Sequence, residues 1–187
     1  MRVDVWLPML FVLFSGLIDA THAPTGTRDA ARALEAWEGA WEGEMRNHSP
    51  NGASDPIPVT LRIARLDDGS IEWRTVYANA SIRGLRDYRL IPDAADSTRF
   101  VVDEQNGIRL NARLLGGTLV SSFSVGGQFL VSRYTLTGDR LEHEIVFWPT
   151  EDPLTTTGEG PAGEQGMPVD SYTPSGIQRT VLRRIRR

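Results

Sequence analysis

The sequence predicts an all-β protein: a single antiparallel up-and-down β-barrel of about ten strands with a short N-terminal helix. Three features point to it. From Trp41 onward apolar residues recur at every second position, the period of a half-buried strand. Such segments begin at intervals of about ten residues, the rhythm of a meander. Between them stand Asp67-Asp68-Gly69, Pro92-Asp93, Asn106-Gly107, Gly116-Gly117, Gly126-Gly127 and Gly138-Asp139, turn sequences that join adjacent antiparallel strands. Closing the meander into a barrel hides the two edges it would otherwise expose.

In chain order, Arg2 precedes an apolar run from Val5 to Leu17, followed by small residues at Ala20 and Ala23. This is the pattern of a secretory signal, and it falls short of the roughly 20 residues a membrane-spanning helix requires. Cleavage is expected after Ala20, because Pro24 would follow the alternative bond. Residues 1–20 are then a signal peptide and 21–187 one domain, secreted or periplasmic, with no stable membrane span.

Thr27 as N-cap, Asp29 in the first turn and the strong helix formers that follow predict a helix over about 28–37. At Trp41 the period changes to two. Trp41, Gly43 and Met45 alternate with Glu42, Glu44 and Arg46 in a first strand that runs to about Asn47, ahead of a Pro- and Gly-rich loop reaching Pro58. Val59, Leu61 and Ile63 share one face of a second strand; Ile71, Trp73, Thr75 and Tyr77 share the inner face of a third. Seven more strands are expected at about 83–91, 98–104, 108–115, 118–125, 128–136, 140–148 and 177–185. Residues 149–176 are Pro-rich and lack apolar periodicity, so they are predicted to be one long loop near the barrel mouth.

Composition excludes several chemistries. The chain has no cysteine, which rules out disulfides, thiol nucleophiles and thiolate metal sites. All 20 basic residues are arginine, which removes lysine Schiff-base chemistry and points to GC-rich coding and a bacterial host. Without residues 1–20, 19 arginines face 22 acids, a balance unlike that of a general nucleic-acid binder, so no nucleic-acid partner is expected. Beyond His22 the histidines are His48 and His143 alone, too few for a metal site, and no G-x-S-x-G elbow is present. No metal, cofactor or catalytic residue is therefore assigned.

Gly39-Ala40-Trp41 is a G-x-W triplet opening an all-β chain, and with a late arginine it resembles the first and last strands of the lipocalin-like, or calycin, barrels. The resemblance implies that Trp41 closes one end of the barrel beneath an arginine of the last strand, and Arg179 and Arg183 are the candidates. Gly39, Trp41, Arg179 and Arg183 are thus read as a structural clamp. The chain departs from the family in lacking any disulfide. It also has no histidine beyond His143, where the heme-binding nitrobindins carry theirs. The resemblance further implies a small hydrophobic or amphipathic molecule as partner, bound inside the barrel.

Candidate ligand-binding residues are Trp73, Tyr77, Tyr88, Phe123 and His143. In its strand His143 alternates with Glu142 and Glu144 and shares a face with Leu141, Ile145 and Phe147, so it is expected to point inward. There it either meets a ligand or is bonded to a core neighbour such as Tyr77 or Tyr88. Two alternatives stand beside the binding protein: an isomerase- or lyase-type enzyme with His143 as acid/base, and a barrel plugged by its own side chains that serves as an interaction module. Oligomeric state is left open.

Overall fold

The computed structural model of the protein describes residues 32, 34–78, 83–160 and 164–186. The apolar run read as a signal peptide lies outside the described residues, as do 28–31 and 33 of the expected helix. What the structure shows of that helix is a 3-10 turn, Glu35–Trp37, with Arg32 in helical conformation ahead of it. The turn places Leu34 and Trp37, both buried, against the barrel floor.

The strands are β1 (Gly39–Ser49), β2 (Gly52–Ala53), β3 (Ile57–Arg65), β4 (Ile71–Ala78), β5 (Arg83–Pro92), β6 (Arg99–Asp103), β7 (Arg109–Leu115), β8 (Thr118–Val125), β9 (Gln128–Thr137), β10 (Arg140–Pro149), β11 (Leu154–Glu159), β12 (Gln165–Ser171) and β13 (Gly176–Arg184). Ten of them form the barrel in the order β13-β10-β9-β8-β7-β6-β5-β4-β3-β1, and β13 pairs with β1 to close the ring. All ladders are antiparallel, and these ten are the strands the alternation predicts. The pleat carries the burial pattern: Ile57, Val59, Leu61 and Ile63 of β3 are buried, while Pro58, Thr60 and Arg62 between them are exposed. At the β7–β8 turn Gly116 and Gly117 both take positive φ, 56° and 81°, which a two-residue turn of matching twist demands.

Register gives the barrel two unlike ends. Trp41, Arg65, Ile71, Pro92, Leu115, Arg140 and Arg184 lie toward one end, where Leu34, Trp37, Trp41, Ile63, Ile71, Leu141 and Leu182 make a dense floor. Ser49, Ala78, Asp103, Val125 and Pro149 lie toward the other, where inward side chains are only partly buried.

Residues 149–176 are not one irregular loop. They contain the antiparallel hairpin β11–β12, which starts from the open end and pairs only with itself. Thr155-Thr156-Thr157 and Val169 favour strand conformation through their branched Cβ. Both faces of the hairpin are exposed, so no apolar alternation marks it in the sequence.

Candidate functional site: an interior cavity open at one end

The floor is built first. Trp41 is fully buried, and its indole N–H donates to Trp37 O at 3.0 Å. The arginine over it is Arg184, with Cζ 4.1 Å from the ring centroid, in place of the expected Arg179 or Arg183. Pairing decides this: Arg184 stands directly opposite Trp41 in the β1–β13 ladder. In β13 the inward set is Thr180, Leu182 and Arg184, which turns Arg179, Val181 and Arg183 outward. Arg179 lies on the outer wall, where it and Arg133 both donate to Glu144, their direct cross-strand partner. Arg184 also donates to the carbonyls of Ala36 and Glu38, tying the 3-10 turn to the barrel. Gly39 is required beneath it, since its φ is +140° and a Cβ there would come within 2.6 Å of Nη1 of Arg184.

Above the floor the rings step upward. Trp73 lies between Trp37, at 6.0 Å, and Tyr134, which meets it edge-on at 4.9 Å. Tyr134 in turn stacks flat on the His143 imidazole, 3.8 Å between centroids and 2° between planes. His143 is buried and points inward, and its Nε2 is hydrogen-bonded to Ser132 Oγ at 3.0 Å. Burial pushes its pKa down to about 3, so the ring is neutral at ordinary pH. Its cross-strand neighbour Thr180 is buried too, and the Thr180 hydroxyl has no hydrogen-bond partner.

Over this lies a cavity of about 350 Å³. All five residues singled out as ligand contacts, Trp73, Tyr77, Tyr88, Phe123 and His143, line it. So do Met45, Leu90, Val102, Leu110, Ala112, Leu119, Tyr134 and Ile145, with Thr75, Ser121 and Ser132 as small polar interruptions. Tyr77 and Tyr88 are not bonded to His143; Ser132 and Tyr134 hold it. Alternation across β9 signals their direction, since exposed Arg133 turns Ser132 and Tyr134 inward, yet Val131 and Thr135 on the other face blur that pattern.

Toward the open end the wall becomes polar. Gln178 donates to Asn47 at 3.1 Å across the β1–β13 seam. On the far side Arg86, Tyr88 and Glu104 line the rim. Burial, together with the nearby Glu104 carboxylate, pushes the Tyr88 pKa up to about 12. Burial raises the Tyr77 phenol as well, while Arg86 opposes the rise at both tyrosines.

No family model and no curated protein matches the sequence. Solved structures match the fold. A DUF3598-family protein of unknown function from Nostoc punctiforme aligns with a TM-score of 0.55 at 13% identity, covering 81% of this chain and 49% of its own. The chain thus spans about half the length of that protein. The S-type phycobiliprotein lyase CPES from Guillardia theta aligns with a TM-score of 0.56 at 9% identity, covering 88% of this chain and 100% of its own. At these identities the likeness is one of architecture, and the architecture is the lipocalin-like barrel.

Proposed function

We propose that the protein is a binding protein for a small, largely apolar molecule held inside the barrel. The observation that carries this reading is the cavity itself: about 350 Å³, walled mainly by aromatic and aliphatic side chains, with a few inward polar groups. An interior of this kind speaks against the plugged barrel. Against the isomerase or lyase reading stands the burial of His143, which leaves it a weak base clasped by Ser132 and Tyr134. The likeness to a phycobiliprotein lyase supports a working interior without naming what occupies it.

Tryptophan fluorescence tests the reading, because Trp73 lines the cavity. Native mass spectrometry of protein from its own host should show a retained small molecule, and that molecule should quench the fluorescence of the emptied protein. His143→Ala should weaken its binding by about 1–3 kcal/mol where a buried ligand group loses its partner. A host-purified protein that carries nothing and responds to no apolar compound would sink the proposal. We further propose that the protein works outside the cytoplasm once residues 1–20 are removed. N-terminal sequencing of exported material should then begin near Thr21 or Pro24, and intact Met1 in a membrane fraction would overturn it.

A further inference from the structure

Resting on that binding reading, we propose that the ligand is an amphipathic anion bound head-outward, its acidic group on Arg86 at the rim and its apolar body on the floor rings. Among the described residues Arg86 is the one cation lining the cavity. It belongs to the inward set of β5 with Tyr88 and Leu90, and its cross-strand partner is the buried Thr75. Most arginines of this barrel are committed: Arg62, Arg89, Arg99, Arg109, Arg113, Arg133 and Arg140, for example, each have a carboxylate within ion-pair distance. Arg86 has none among the described residues, and its side chain makes one long bond, 3.4 Å, to the carbonyl of its own neighbour Leu85. Among the described residues, most of the five donors of this guanidinium are therefore left without a partner at the rim of an apolar cavity.

The neighbouring acid does not fill that demand. Glu104 also lines the rim, but it makes no ion pair with Arg86 among the described residues, and its carboxylate accepts from Asn106 Nδ2 at 3.3 Å. Among the described residues no carboxylate meets the remaining donors of Arg86, so the missing partner is an acceptor. The polarity of the floor sets the orientation. Below the rim the polar groups are His143, Ser132, Ser121 and Thr75, none cationic, and His143 and Ser132 already satisfy each other. A carboxylate or phosphate carried down to Trp73 and Tyr134 would be desolvated with no counter-charge, at large cost. An apolar tail there loses nothing. The head must stay at Arg86, where solvent still reaches it.

Matched probes test this in the full-length protein, read through tryptophan fluorescence below micelle-forming concentrations: dodecanoate, dodecyl phosphate, 1-dodecanol and dodecyltrimethylammonium. The anions should bind about three- to tenfold more tightly than the alcohol, a modest gain because the rim is partly solvated, and the ammonium most weakly. The advantage should shrink with added salt. Arg86→Met should lower the anions to the level of the alcohol and leave the alcohol unchanged. The ratio of dodecanoate to dodecyl phosphate separates a carboxylic acid from a phosphate ester as the natural head group. Equal affinity for alcohol and anions, or an Arg86→Met variant that weakens all probes alike, overturns the assignment of Arg86 while leaving interior binding intact. Failure of every probe to bind overturns both readings.

Discussion

The guanidinium of Arg184 lies 4.1 Å from the centre of the Trp41 ring, and the two residues face each other directly across the β1–β13 seam that closes the barrel. The pair joins the first and last strands and anchors the 3-10 turn below them, so it should govern stability more than any other surface-accessible arginine. Trp41→Ala is expected to cost about 3–5 kcal/mol as a large truncation in the floor. Arg184→Ala should cost about 1–3 kcal/mol, from the cation–π contact and the carbonyls it leaves behind. Arg183→Ala should stay within about 0.5 kcal/mol, and Arg179→Ala within about 1 kcal/mol, as outward residues do. Denaturant unfolding ranks the four. An Arg183 variant as unstable as the Arg184 variant would contradict the register.

That register marks the border of what the sequence discloses. The ten barrel strands were legible because each buries one face, which imprints a period of two, and because the glycine turns between them are sterically distinctive. Trp73, Tyr77 and His143 could be placed inward for the same reason. The parity of β13 was not legible: Ile177, Arg179, Val181 and Arg183 against Gln178, Thr180, Leu182 and Arg184 are two equally mixed faces, and only pairing with Trp41 separates them. The β11–β12 hairpin escaped because a strand pair wet on both faces has no reason to alternate. Ser132 and Tyr134 escaped because β9 carries apolar residues on both sides. Arg86 escaped because an exposed arginine looks the same in sequence whether or not an acid sits beside it.

Burial of His143 makes stability pH-dependent in a defined direction. In the folded protein the ring resists protonation until about pH 3, against an ordinary value of 6.5 in the unfolded chain. Between these values the unfolded state binds the extra proton. The contribution of neutral His143 is therefore complete above pH 6.5 and is lost as pH falls toward 3, with a slope of up to ~1.4 kcal/mol per pH unit. Asp68, Asp96 and Asp139, whose carboxyls are held below their ordinary value of 3.8 by Ser70, Thr98 and Arg186 respectively, change their contribution mainly below that value. Urea unfolding of the wild type and of His143→Gln between pH 7 and about pH 4.5 isolates the histidine. The wild type should lose stability faster on acidification; parallel curves would show that His143 protonates freely in the folded state.

Thr180 offers the opposite kind of test, a substitution expected to help. Its side chain is 2% exposed, it stands directly across from His143, and its hydroxyl lacks a partner while Ser132 holds His143 Nε2. A buried hydroxyl without a hydrogen bond is a net cost, and valine has nearly the same shape and a stronger preference for strands. Thr180→Val should therefore stabilise the empty protein by about 0.5–2 kcal/mol, seen as a higher denaturant midpoint at unchanged slope. Thr180→Ala, which removes the same hydroxyl but leaves a void beside Leu182, should not share the gain. A valine variant less stable than the wild type would mean that the hydroxyl is bonded after all, and a bound water bridging it to His143 would be the first partner to seek.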